Sequence, residues 1–136
     1  MNGVLPDYIA FDEFPHILMD KRCKKELDSL LSGYGDANHF LKWFVARLFD
    51  LNDLDINCSL AYPKYFEKAH GCESIFVITY RKKKKNIRIL YTLSHGQVRI
   101  LLCSFDEKSK SDYDVAIRKA KGRITLIPSG GGCLHE

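Results

Sequence analysis

A chain of 136 residues, 46% hydrophobic and 28% charged, has the composition of one globular domain with a single core. No apolar run approaches the roughly 20 residues of a membrane helix, and Met1-Asn-Gly-Val-Leu-Pro-Asp7 has neither the basic region nor the apolar stretch of a signal peptide; a cytoplasmic protein with no membrane contact is expected. The net charge of +4 conceals a split, with 8 Lys/Arg against 11 Asp/Glu in residues 1–70 and 13 against 6 in residues 71–136, so the second half is suited to a polyanion.

In chain order, Tyr8-Ile-Ala-Phe11 reads as a first strand. Asp20 to Ser32 reads as a helix, since Cys23, Leu27, Leu30 and Leu31 fall on one face and Gly33-Tyr-Gly35 ends the run. Asp36 can cap a second helix reaching residue 52, with Phe40, Leu41, Phe44, Val45, Leu48 and Phe49 as its apolar stripe. So short a connection predicts an antiparallel helical hairpin, with Phe40, Leu41, Phe44, Val45 and Leu48 buried against Ile75, Val77, Ile87, Ile89, Ile100 or Leu102.

Residues 51–71 are irregular. Ser74 to Tyr80 is apolar at both alternations, which predicts a strand covered on both sides. Asn86 to Thr92 is a second strand, Ser94-His-Gly-Gln97 a turn and Val98 to Phe105 a third, completing a meander. Ser111-Asp-Tyr-Asp114 has the pattern of a capping box for a helix that runs to Lys121 and stops at Gly122. Arg123 to Pro128 then reads as an edge strand. The expected fold is α+β: a small, mainly antiparallel twisted sheet, the helical hairpin packed on one face, and a C-terminal helix. Residues 1–128 form the single domain and 129–136 a flexible tail.

Cys23, Cys58, Cys72, Cys103 and Cys133 are odd in number and include no C-x-x-C pair. His16, His39, His70, His95 and His135 offer no metal spacing. Neither a disulfide framework nor a metal or other cofactor is expected. Arg81, Lys82, Lys83, Lys84 and Lys85 form a basic turn between two strands, and Lys110 adds a further cation before the last helix. Such a run is either a solvated face or a track for a nucleic-acid backbone.

Asn86-Ile-Arg-Ile-Leu-Tyr91, the segment Leu102-Cys-Ser-Phe-Asp-Glu-Lys-Ser-Lys110 and the helix Ala116-Ile-Arg-Lys-Ala120 together resemble the RelE/ParE superfamily of small bacterial toxins, in particular its HigB-like, phage-derived branch. The resemblance spans roughly residues 62–124. It departs from the family where Val77-Ile78-Thr79 stands in place of Glu-Leu-Arg and where Glu107 occupies an expected lysine.

The resemblance implies a RelE-like fold and the toxin of a toxin–antitoxin pair. The activity it implies is metal-independent cleavage of mRNA on the ribosome, in which the 2′-hydroxyl attacks the scissile phosphorus. The implied partners are that mRNA and a cognate antitoxin. Carried over by position, Arg88 would hold the phosphate, Lys108 would add a second cation, and Tyr113 would stack on a base or transfer a proton. A gyrase poison of the ParE type and a catalytically inert nucleic-acid- or protein-binding member stay open as alternatives. The nuclease reading places Arg88 in solvent on the sheet face opposite the hairpin, with Lys108 and Tyr113 converging on it.

Overall fold

A computed structural model describes residues 7–54, 57–72, 74–82, 84–94 and 98–127. In chain order these form β1 (Tyr8–Ala10), β2 (Ile17–Asp20), α1 (Lys21–Leu31), α2 (Ala37–Leu54), α3 (Cys58–Ala61), β3 (Phe66–Lys68), β4 (Phe76–Lys82), β5 (Lys85–Ser94), β6 (Val98–Asp106) and α4 (Lys110–Thr125). One six-stranded sheet has the order β1-β2-β6-β5-β4-β3. Every pairing is antiparallel except β2 with β6. The fold is therefore α+β, with a mostly antiparallel open sheet. The residues read as a tail, 129–136, lie outside the described part.

The alternation of β4 and β5 sorts their side chains onto two faces. Phe76, Ile78, Tyr80, Ile87, Ile89 and Tyr91 join the core beneath α1 and α2. Val77 and Leu90 join a second core beneath α4, with Ile75, Ile100 and Leu102. β4 is covered on both sides, as the apolar character of both its alternations predicts, and β5 beside it is covered in the same way. A bulge interrupts the β5–β6 ladder. Leu90 faces Cys103 and Tyr91 faces Leu101, so β6 carries one extra residue there. Leu102 and Cys103 consequently share the α4-side core, and Ser104 turns to the other face, where its Oγ lies 3.1 Å from Cys23 Sγ.

Asp20 caps α1 by accepting from Arg22 N–H at 2.7 Å, and Gly33, at φ 76°, takes the left-handed conformation just beyond the helix. On α2, Phe40, Phe44, Leu48 and Leu51 are buried. Leu41, Val45 and Phe49 are not, at 43%, 44% and 50% exposed. The expectation for Leu41 and Val45 fails because the apolar stripe is wider than the arc the sheet covers. The two helices also do not close on one another: an apolar groove of about 800 Å³ lies between them. Of the sheet residues named as partners for this stripe, Ile87 and Ile89 lie on this side, whereas Ile75, Val77, Ile100 and Leu102 lie under α4.

The last helix differs from expectation at both ends. Its cap is Ser109, and Asp112 closes the capping box, accepting from the backbone N–H of Ser109 at 3.1 Å and of Lys108 at 3.0 Å. It continues through Gly122 to Thr125, where a stop and a strand were expected. Ala116, Ala120 and Arg123 are its buried face, and the fixing of Arg123 against the sheet outweighs the cost of a helical glycine, about 1 kcal/mol.

That fixing resolves an open edge. β2 pairs with β6 only from Ile17 to Met19, opposite Arg99 to Leu101, before the chain turns into α1. Farther along β6, Ser104 N–H donates to Glu26 Oε1 at 3.1 Å, and Leu102 C=O accepts from Arg123 Nη1 at 2.6 Å. Arg123 also grips Glu26 with both prongs, at 3.0 and 2.7 Å. Two side chains thus replace a strand, one from each covering helix. Burial pushes the Glu26 carboxyl upward, but the Arg123 guanidinium, the Ser104 N–H and Lys119 outweigh it and hold it below its ordinary value.

Two predictions follow from this packing. Leu48→Ala should cost about 2–5 kcal/mol, and Leu41→Ala no more than about 0.5 kcal/mol, by denaturant unfolding. Arg123→Met should cost about 2–4 kcal/mol at neutral pH, since it strands a mostly buried carboxylate. Because the Glu26 pKa is depressed, the stabilisation is fully present above its ordinary value of 4.5 and is lost as pH falls through the folded value. The stability gap between wild type and Arg123→Met should therefore narrow below that pH.

Candidate active-site cleft

On the α4 face the sheet and helix enclose a cleft of about 860 Å³. Its floor is built by strands: Glu67 from β3, Arg81 from the end of β4, Arg88 from β5 and Glu107 just past β6. One wall is α4, which presents Lys110, Tyr113, Asp114, Arg118 and Lys121. The other is the turn at His70 and Gly71. Five Lys/Arg face three carboxylates, so the cleft is positive with its histidine neutral.

Arg88 lies at the bottom, on the sheet face opposite α1 and α2, but it does not reach into solvent; it is 6% exposed. Its Nη1 donates to Thr79 Oγ1 at 3.3 Å, across the β4–β5 ladder. The same nitrogen lies 3.6 Å from Glu67 Oε2, and Nε lies 2.8 Å from Glu107 Oε1. The Nε–H is not aimed along that short contact, and neither atom gains a directed hydrogen bond from it. The attraction is chiefly Coulombic. Two features unread in the sequence produce this enclosure. The short strand β3 sets Glu67 beside Val77, and Asn86 pins Glu107, its C=O accepting from Glu107 N–H at 2.9 Å and its Nδ2 donating to Glu107 C=O at 3.3 Å.

Tyr113 does converge on the cleft. Its Oη accepts from His70 N–H at 3.4 Å, and its ring stands edge-on to Phe105 at 6.0 Å. Burial raises the Tyr113 pKa, the first and largest of its causes, so near neutral pH the phenol keeps its proton. Lys108 does not converge: it is exposed and lies outside the cleft lining, in the turn between β6 and α4, where its N–H donates to Asp112. Lys110, in the first turn of the helix, lines the cleft instead.

The basic run does not act as one unit. Arg81 lines the cleft. Lys82 pairs with Asp36 at 3.8 Å and Lys85 with Asp106 at 3.8 Å, while the Lys85 ammonium also lies 5.2 Å from the Tyr34 ring. These contacts draw both lysines away from the cleft. Lys84 is exposed, and Lys83 and His95 lie outside the described residues. Glu67 was missed, because it sits on a strand too short to show a period. Glu107 was visible only as a departure from the resemblance.

Chemically, the cleft can hold a phosphodiester among Arg88, Lys110, Arg118 and Lys121, with carboxylates able to accept a proton and a phenol able to donate one. No group of His, Cys, Asp and Glu among the described residues is placed to hold a metal ion. The described cysteines are buried and form no disulfide with one another, and burial pushes the Cys103 thiol up to about 12. No family model, curated protein or solved structure matches the chain.

Glu107→Gln keeps the shape of the Arg88 pocket and removes one charge. It should destabilise the fold by about 1–3 kcal/mol, measured by denaturant unfolding. It should also tighten low-salt binding of a polyanion, which a filter or fluorescence titration with single-stranded RNA would report.

Proposed function

We propose that this protein is a metal-independent endoribonuclease of the RelE/ParE kind, cleaving mRNA on the ribosome as the toxin of a toxin–antitoxin pair. The observation that carries the reading is the position of Arg88. It stands at the floor of a positive cleft on the sheet face opposite α1 and α2, within the lining that Tyr113 shares. The resemblance assigns the same two residues to this chemistry.

In the proposed reaction the scissile phosphate takes the place of the carboxylates around Arg88. The arginine fork holds the non-bridging oxygens, and Lys110 and Arg118 add to the field. Glu107, released from Arg88, accepts the 2′ proton. The 2′-oxygen attacks phosphorus, the bond to the 5′-oxygen breaks, and Tyr113 gives that oxygen its proton. The products are a 2′,3′-cyclic phosphate and a 5′-hydroxyl. The Glu107 contact thus serves two purposes: it holds the guanidinium in place before substrate arrives and supplies the base afterwards. An antitoxin for this surface would cover the cleft with acidic residues.

The Arg88–Glu107 contact also favours a second reading, binding of RNA without cleavage, because a neutralised arginine is a weaker electrophile.

Induced expression followed by primer extension on cellular mRNA tests the proposal. Wild type should cut, and Arg88→Ala should lose about a hundredfold or more in rate. Arg88→Lys should also be poor, since an ammonium cannot make the two-pronged contact. Lys108→Ala should be close to wild type, and Lys110→Ala impaired. Glu107→Gln should bind RNA yet fail to cut. Wild-type expression without any new mRNA ends would refute the nuclease and leave the binding reading.

A further inference from the structure

A second, smaller cavity of about 240 Å³ opens at the β3–β4 edge of the sheet. Its walls are aromatic: Trp43 from α2, Tyr65 just before β3, and Tyr80 from β4. The Trp43 ring centroid lies 5.7 Å from that of Tyr65 and 5.0 Å from that of Tyr80. Trp43 and Tyr65 pack against the core yet are each only partly buried; the Arg47 guanidinium lies 4.5 Å from the Tyr65 centroid, which leaves the remaining exposed ring surface to the pocket. The mouth is basic. His39, Lys64 and Arg81 line it, and the Lys64 ammonium lies 5.6 Å from the Tyr65 centroid. His39 is anchored by its Nδ1, 3.1 Å from the Tyr80 hydroxyl.

Arg81 belongs to both cavities. The main cleft and the aromatic pocket therefore meet at one exposed guanidinium on the end of β4. Half-buried aromatic rings beside cations are what a single-stranded nucleic acid requires: a flat surface for a base and positive charge for the phosphate attached to it. The pocket has room for one base and not for a strand.

We propose that the aromatic pocket is a nucleobase subsite for single-stranded RNA. A strand with its scissile phosphate at Arg88 passes over Arg81, which holds an adjacent phosphate, and seats a neighbouring base against Trp43 and Tyr65. This rests on the nuclease reading for the direction of the strand. It adds that recognition extends beyond the cleft, around the sheet edge, and favours substrates several nucleotides long.

Trp43 is the chain's one tryptophan, so its emission reports this pocket directly. The test is a fluorescence titration of wild-type protein with a 2′-methoxy oligoribonucleotide of six residues, which cannot be cut, and with the corresponding dinucleotide. The hexamer should quench Trp43, and the dinucleotide, held in the cleft alone, should not. Tyr65→Leu should weaken hexamer binding roughly fivefold or more, as the loss of a stacking partner does. Because Tyr65 also packs against Trp43, Lys64→Ala and His39→Ala, both at exposed positions, provide the control for misfolding and should weaken it in the same direction.

Hexamer binding with unchanged Trp43 emission and no effect of these substitutions would overturn the subsite. If mRNA is cut while Trp43 stays silent, the subsite falls and the nuclease stands. If Trp43 is quenched but no mRNA is cut, the nuclease falls and the subsite stands. Absence of any oligonucleotide binding overturns the subsite as well.

Discussion

The fold depends on how the exposed half of β6 is closed. A parallel partner covers the first half of that strand, and then the chain leaves the sheet to form α1. Backbone groups abandoned at such an edge must find partners or stay open to other chains. Here Glu26 takes the Ser104 N–H and Arg123 donates to the Leu102 C=O, and the two side chains grip each other. The arrangement fixes one helix on each face at the same place along the strand. Removing either charge leaves the other mostly buried and also reopens the edge, so the cost exceeds that of a surface ion pair. Arg123 thereby holds the C-terminal end of α4 against β6, while Tyr113 near its other end is held by His70 and Phe105.

Arg88 raises the opposite problem. A guanidinium at the bottom of a cleft is costly to desolvate unless anions accompany it. Glu67 and Glu107 supply them, from an edge strand and from the strand end beyond β6. Their cost to function is competition: any phosphate bound there must displace a carboxylate already in contact with the cation. In the reaction proposed above, the displaced Glu107 carboxylate would have a further task as the base for the 2′-hydroxyl. The positive residues of α4, Lys110, Arg118 and Lys121, tip the balance towards the incoming anion without being committed to the floor pair.

Elements with a long period were legible in the sequence. The stripes of α1 and α2 and the two-sided apolar run of β4 each repeat often enough to declare their geometry. β2 and β3, four and three residues long, do not. β2 is defined by a parallel pairing with a strand some eighty residues away, which local alternation cannot reveal. Gly122 was read as a helix stop, and the reading failed because the tertiary grip on Arg123 overrides one residue's propensity. The site divides along the same line. Arg88 and Tyr113, carried over by position from the resemblance, both line the cleft. Lys108, carried over in the same way, stands in the turn between β6 and α4 and falls outside the cleft lining. Glu67 lies on the unread edge.

The bulge in β6 connects these observations. Side chains alternate along a strand, so one extra residue exchanges the faces of everything beyond it. With the extra residue at Leu102, Ser104 meets Cys23 on the α1–α2 side and Phe105 turns to the α4 side, where it supports the Tyr113 ring. Were the same sequence to run on in regular alternation instead of bulging at Leu102, Phe105 would face the α1–α2 side and Ser104 the α4 side. The next residues would shift likewise against β5, and Glu107 would lose the register in which Asn86 fixes it beside Arg88. A strand that begins by packing a core therefore ends by building a site, and the change of task is made by inserting a single residue into the ladder.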